Sequence, residues 1–161
     1  MSNYDIYLDL DGVCSSFDDH CRSIFGKTAS EFEHKSKFWS AVQHHDTNVE
    51  KFFRHMPKCD GADILVHFCS DYFRSVKFLT ASGFTPKDGP RQKIAWCAEH
   101  YPNIECIVVD KSPNKAKYAR PDAILVDDRE KSTTPFILNG GNAILHTSIP
   151  DTIAQLMQYH N

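Results

Sequence analysis

The sequence predicts an α/β protein: a doubly wound parallel sheet with helices on both faces and a small helical cap inserted after the first strand. Three observations carry this. Apolar runs of strand length recur along the chain, helical patterns stand between them, and residues 14–60 have helical spacing but no convincing strand. Strands alternating with helices imply βαβ units, whose strands lie parallel and are covered on both faces. The division that follows is a core of residues 1–13 and 61–161 with a cap of residues 14–60.

The first strand spans Tyr4 to Asp9, with Tyr4, Ile6, Leu8 and Leu10 on one parity. The stretch 14–60 is rich in aromatic residues (Phe17, Phe25, Phe32, Phe38, Trp39, Phe52, Phe53) and in histidine, and it would cover the strand ends as a lid. A helix over 61–72 sets Ile64, Leu65, Phe68 and Tyr72 on one stripe. The second strand, Val76 to Thr80, is followed by a helix over 90–101 that opens with Pro90, a favoured first helical residue, and aligns Ile94, Cys97 and Tyr101. Ile104 to Val109 is the third strand, apolar but for Glu105, a pattern that reads as a strand buried on both faces. Ala123 to Asp127 and Asn142 to His146 complete the strands. A last helix over 150–159 carries Ile153, Leu156 and Met157.

Size and composition bound the function. A chain of 161 residues fits one domain with a small insertion, and at that length it buries roughly 70% of its unfolded surface without staples. Apolar residues make up 41% and charged residues 24%, ordinary globular values. The net charge of −3 argues against polymeric nucleic acid or a membrane surface as partner, since both select a basic surplus. Six cysteines form no C-x-x-C pair, which excludes the usual zinc and thioredoxin motifs; Cys14, Cys69, Cys97 and Cys106 stand among apolar neighbours, as in a reducing compartment. The N-terminus shows no signal peptide and no apolar run reaches membrane-spanning length, so the expected location is the cytoplasm.

In a parallel sheet the ligand sits at the carboxyl ends of the strands. Asp9 and Asp11 follow strand one, Thr80-Ala81-Ser82-Gly83 ends strand two, Asp110-Lys111 follows strand three, and Asp127-Asp128 ends strand four. In Asp9-Leu10-Asp11-Gly12-Val13 two carboxylates point the same way and repel each other unless a cation lies between them. A hard cation with oxygen ligands is expected, and magnesium is the usual one beside phosphate. Asp9 could then attack phosphorus while Asp11 moves a proton to the leaving oxygen. Asp127 and Asp128 end a buried strand, where adjacent carboxylates are costly without a counter-charge. Asp128 would bind the metal directly, with Asp127 in support. Thr80 and the backbone N–H groups around Ala81 could hold phosphoryl oxygens. Of Lys111, Lys115 and Lys117, one would neutralise the phosphoryl group and the nucleophile.

Together these residues resemble the haloacid dehalogenase-like phosphatase superfamily. The resemblance rests on Asp9-Leu10-Asp11-Gly12-Val13, Phe78-Leu79-Thr80-Ala81-Ser82, a lysine, and Ile124-Leu125-Val126-Asp127-Asp128-Arg129, in that order. It implies a Rossmann-like core, an aspartyl-phosphate on Asp9, magnesium held by Asp9, the backbone carbonyl of Asp11, Asp128 and, in support, Asp127, and catalytic roles for Asp11, Thr80 and a lysine. Placement just before Ala116-Lys117-Tyr118-Ala119 favours Lys115; spacing to Asp127 keeps Lys117 open. Within the superfamily the chain is most similar to the 5′(3′)-deoxyribonucleotidase branch: Phe17 matches an aromatic near the substrate base, Phe38-Trp39 an aromatic pair of the lid, and Lys93-Ile94-Ala95-Trp96 a K-x-x-W helix. Ala81-Ser82-Gly83-Phe84 departs from that branch after Thr80. The resemblance implies a small-molecule phosphate ester, a nucleoside monophosphate, as substrate, contacted by Phe17, Phe38, Trp39, Thr80 and Ala81, with a homodimer left open. Two alternatives stand beside it: a phosphatase for another ester (a nucleic-acid 3′-phosphate end, a sugar phosphate or a modified nucleotide), and a catalytically silent nucleotide-binding module.

Overall fold

A computed structural model describes residues 1–160. Five strands form one sheet: β1 (Ser2–Leu8), β2 (Phe73–Ala81), β3 (Cys106–Val109), β4 (Ala123–Asp127) and β5 (Asn142–Leu145). Their order is β3-β2-β1-β4-β5 and every neighbouring pair is parallel. The order reverses at β1: the chain first builds outward through β2 and β3, then crosses to β4 and β5 on the other side. That reversal opens a crevice at the carboxyl ends of β1 and β4, the place where such sheets take a ligand.

Alternation along the central strands divides the apolar side chains between two cores. Ile6, Leu8, Phe78, Ile124 and Val126 face a large cluster with helices α3 (Ala62–Tyr72), α4 (Gly89–His100) and α6 (Ile149–Leu156). Tyr7, Leu79, Ala123 and Leu125 face a smaller one closed by Phe136 of α5 (Glu130–Leu138) and by Tyr118 of the 3-10 turn Ser112–Tyr118. Residues 14–60 contain α1 (Phe17–Phe25), a 3-10 turn at Ala29–Glu31 and α2 (Lys35–Asn48). The two ends of this insertion lie against each other: Ser16 N donates to Pro57 O at 2.7 Å, and Cys59 N to Cys14 O at 2.8 Å.

The helices differ from their expected faces in instructive ways. On α3 the buried residues are Leu65, Val66 and Cys69, while Ile64 and Tyr72 are exposed. On α4 the buried face is Gln92, Lys93, Trp96 and Cys97, and Ile94 is 48% exposed. Trp96, the largest side chain of α4, decides which face turns inward, because it brings the most apolar area. Met157 lies beyond the end of α6 and is exposed. Helix α5 has no counterpart among the expected elements: Pro135 interrupts its sequence pattern, yet Ser132, Thr133 and Phe136 are buried along it.

Candidate active site

The site is built from the ends of β1, β2 and β4. Asp9 follows the last residue of β1 but stays tied to the sheet, its N–H donating to Val126 O at 2.9 Å. The chain then reverses sharply. The N–H groups of Val13, Cys14 and Ser15 all donate to Leu10 O, at 3.0, 2.8 and 2.9 Å. Gly12 makes the reversal feasible. Its φ of +86° suits glycine alone, and a Cβ there would lie 2.2 Å from Asp128 Oδ2. The missing side chain of Gly12 is therefore the space that the Asp128 carboxylate occupies.

Asp9 and Asp127 are buried, and one ammonium serves both. Lys115 Nζ donates to Asp9 Oδ1 at 2.9 Å and to Asp127 Oδ2 at 2.5 Å, and is itself 2% exposed. Asp127 Oδ1 also accepts from Arg129 N at 3.0 Å. Lys115 arrives from the 3-10 turn after β3; Lys117, two residues on, points to solvent, as do Asp110 and Lys111. The local spacing thus delivers only one of these lysines to the strand ends.

A second buried lysine meets the other side of the crevice. Lys93 Nζ, on α4, donates to Asp11 Oδ2 at 2.9 Å, Thr80 Oγ1 at 3.1 Å and Ala81 O at 2.8 Å. Asp11 Oδ1 accepts from Ser15 Oγ at 3.0 Å, so both of its oxygens are held by donors. Sequence reading assigned Lys93 to a helix motif and gave it no place in the site. The Trp at i+3 was the available signal, since the residues one turn from the largest apolar anchor share its buried face.

Charge at the strand ends does not balance. Asp9 and Asp127 share Lys115, Asp11 is paired with Lys93, and Asp128 meets only the field of Arg129, so four carboxylates stand against three cations. Burial above all, with the Asp127, Asp11 and Asp128 charges adding to it, pushes the Asp9 carboxyl up to about 8 in spite of Lys115. Partial enclosure and the Asp127 charge likewise raise Asp128 to about 6. Asp9, Asp127 and Asp128 each offer a carboxylate oxygen, all within 4.8 Å of one another. Hard oxygen donors, a surplus of negative charge and a glycine that clears room for the third carboxylate fit a hard divalent cation. The Asp11 carboxylate is not part of this group; it is turned to Lys93 and Ser15.

The recess among these groups has a volume of about 60 Å³ and is bordered by Asp9, Thr80, Ala81, Lys115 and Ser132. The Ser132 hydroxyl is buried there without a hydrogen-bond partner in the protein. Of the aromatic residues expected at the substrate, Phe38 is 3% exposed and packs against Phe17, Phe25, Phe32 and Trp39 as the centre of the insertion's own core. Phe17 and Trp39 are half-buried, and none of the three borders the recess. His45 is partly enclosed against Phe25 and Phe52, while His44 is exposed.

No protein-family model matches the sequence, and no curated protein matches it. Solved structures do match it in fold. A haloacid dehalogenase-like family hydrolase from Xanthomonas campestris superposes with a TM-score of 0.65 at 11% identity, covering 99% of this chain and 97% of that one. A hydrolase from Streptococcus pneumoniae gives 0.54 at 16% identity, over 98% and 100%. L-2-haloacid dehalogenase from Xanthobacter autotrophicus gives 0.55 at 10% identity, over 98% and 86%. At these identities the likeness is one of architecture: the parallel five-stranded sheet, its flanking helices and the insertion after β1 form the haloacid dehalogenase-like fold. Among the described residues no helix is long and apolar enough to cross a membrane.

Proposed function

We propose that the chain is a magnesium-dependent phosphomonoesterase that works through an aspartyl-phosphate on Asp9, with a nucleoside monophosphate as substrate. The observation that carries the chemistry is the unbalanced cluster: Asp9, Asp11 and Asp127 border one recess with Lys115 and Arg129, Asp128 offers an oxygen within 4.8 Å of Asp9 and Asp127, and Lys93 is bonded to Asp11, so that four carboxylates outnumber three cations at the strand ends where ligands bind. Asp9, Asp127 and Asp128 would hold the cation, which supplies positive charge for the phosphoryl oxygens and for the nucleophile. Thr80 and Lys115 border the recess and would orient the phosphoryl group. An oxygen of Asp9 attacks phosphorus as the bond to the ester oxygen breaks, and Asp11 gives that oxygen its proton. Water then attacks the phosphorus of the aspartyl-phosphate, Asp11 takes its proton, and the bond to Asp9 breaks to release inorganic phosphate. The likeness in fold to hydrolases supports a hydrolytic reaction. Displacement at carbon, as a dehalogenase performs it, makes no call on a surplus of carboxylates, whereas phosphoryl transfer uses the cation they gather.

The recess would admit the phosphoryl end of an ester and leave the remainder outside it. Phe17 and Trp39 do not border the recess but keep part of their surface free, and would be the aromatic faces offered to a planar base, while Phe38 is spent on the insertion's core. The net charge of −3 and the small recess favour a small molecule over a polymer, and six free cysteines suit a reducing cytoplasm. The test is phosphate release from deoxy- and ribonucleoside monophosphates, a 3′-phosphorylated oligonucleotide and a sugar phosphate, with magnesium and with a chelator. Magnesium-dependent release, strongest from a nucleoside monophosphate, is expected. A preference for another ester would overturn the substrate, and binding without turnover would overturn the chemistry.

A further inference from the structure

Helix α4 touches two parts of the molecule at once. Its buried face holds down the returning end of the insertion, residues 52–56. Gln92 Oε1 accepts from Phe53 N at 2.9 Å and Arg54 N at 3.3 Å, and Gln92 Nε2 donates to Asp46 Oδ1 at 2.9 Å. Asp46, on α2, in turn accepts from Phe52 N at 2.8 Å. One turn further on, Trp96 Nε1 donates to Met56 O at 2.7 Å. Between these anchors stands Lys93, with three acceptors for its three N–H groups and the Phe53 ring 4.6 Å from its Nζ.

A buried ammonium whose donors are all used has little freedom to turn, and it fixes its partners equally. The partner that matters is Asp11, whose carboxylate must meet the leaving oxygen. We propose that Lys93 is a positioning residue for Asp11, and that α4 makes this placement depend on the docked insertion: Gln92 and Trp96 hold 52–56 in place, and Phe53 shields Lys93 from water. The inference rests on the phosphomonoesterase reading, because it assigns Asp11 the proton transfer. It also says what the insertion does for the reaction without touching phosphorus.

The test compares two esters. The leaving oxygen of an alkyl phosphate needs the proton from Asp11, whereas p-nitrophenyl phosphate leaves as a stable anion and needs it far less; hydrolysis of the aspartyl-phosphate is common to both, so the rate read is that of leaving-group release in a single turnover. Lys93→Met is expected to lower the single-turnover rate of leaving-group release by about thirtyfold or more on the alkyl ester and by about threefold or less on p-nitrophenyl phosphate, within the span that general acid catalysis supplies. Asp11→Asn should show the same skew. Gln92→Ala should show it in the same direction at roughly a third of the size, since cap docking acts through Lys93. A variant that merely loosens the fold loses both esters alike. Should Lys93→Met fail to fold, Gln92→Ala and Phe53→Leu carry the comparison. Equal losses on the two esters would overturn the role of Lys93, and a Gln92→Ala enzyme without skew would overturn the link to the insertion. A wild-type protein inactive on both esters overturns the phosphomonoesterase reading first, and the role of Lys93 falls with it; that outcome is recognised before any variant is made.

Discussion

The two ends of the sheet carry ionic clusters of opposite character. At the amino end, Asp5 and Asp122 meet Arg74 and Arg120, two carboxylates against two guanidinium groups. Asp5 takes a fork from Arg74, at 2.9 and 2.7 Å, a hydrogen bond from Ser75 at 2.7 Å and a contact from Arg120. Those bonds hold its carboxyl down at about 2, well below its ordinary value. At the carboxyl end, Lys93, Lys115 and Arg129 stand against four carboxylates, of which Asp128 has no ion pair with either lysine, and Asp9 is pushed the other way, up to about 8. Both aspartates belong to the same run of chain, four residues and roughly 13 Å apart. Their opposite shifts have different leading causes: burial first and neighbouring carboxylates second push Asp9 up, whereas the hydrogen bonds from Arg74 and Ser75 hold Asp5 down. A balanced cluster ties strands together. An unbalanced one is held in place by the surrounding fold and has work left for a ligand.

The largest effect that would break this comparison is at Asp9. Asp9→Asn should reduce phosphate release by at least about a thousandfold, as loss of a covalent nucleophile does. The same change should leave thermal stability unchanged or raised when no divalent ion is present. An acid whose carboxyl is pushed up on folding destabilises the fold at neutral pH, because folding makes it take up a proton that the unfolded chain does not hold. Asp5→Asn should do the reverse, keeping activity and losing stability. Retained activity in Asp9→Asn would remove the functional half of the contrast.

Lys115 comes next. Replacing it with Met leaves the buried carboxylates of Asp9 and Asp127 without their ammonium, and breaking such a pair costs about 3–5 kcal/mol. Denaturant unfolding should show a loss of that size, with part of it recovered on adding magnesium, because a cation would then carry the missing charge. A loss that magnesium leaves untouched would argue that Asp9, Asp127 and Asp128 do not gather a cation. The two clusters lie farther apart than the Debye length of physiological salt, so Lys115→Met and Asp5→Asn should be additive within about 0.5 kcal/mol.

The pH dependence sharpens the balanced half. Asp5 titrates near 2 in the fold against 3.8 for the unperturbed group. Its contribution to stability is fully present above about pH 4 and is lost as pH falls through 2, because between those values the unfolded chain binds the extra proton. The shift corresponds to about 2 kcal/mol. Acid unfolding of Asp5→Asn should be flatter across that window by about that amount; an unchanged acid limb would show that the Arg74 and Arg120 pairs leave Asp5 unaffected.

Much of the sheet was legible because strands leave their mark on short stretches of sequence. Ala123 to Asp127 has the same bounds in both readings, and the residues closing β1, β2 and β4 meet where a parallel sheet must bring them. What sequence could not show was rotation. A helix stripe fixes a period but leaves its phase open when two stripes compete. Of the expected stripes Leu65, Cys97 and Tyr101 are buried, but Ile64, Tyr72 and Ile94 are exposed, and on α4 Trp96 turned inward and carried Gln92 and Lys93 with it. Pro135 hid α5 for a different reason: a residue that lacks an N–H reads as a stop, although here it stands inside a short helix. Phe38 was ambiguous because an aromatic residue at helical spacing suits an insertion's own core as well as a substrate surface, and only burial distinguishes the two.

The smallest expected effect tests that phase directly. Ile94 is apolar, lies next to Lys93 and is 48% exposed, away from both ionic clusters. If α4 turns Trp96 inward, Ile94→Gln removes little buried area, and its cost should stay within about 0.5 kcal/mol with activity unchanged. If Ile94 shared the buried face with Cys97 and Tyr101, the same change would place an amide in the core and cost about 2 kcal/mol or more. Lys93 would then point to solvent and Lys93→Met would be nearly silent. Chemical denaturation of the two variants side by side decides between these phases, and with them whether the carboxyl edge holds two buried lysines or one.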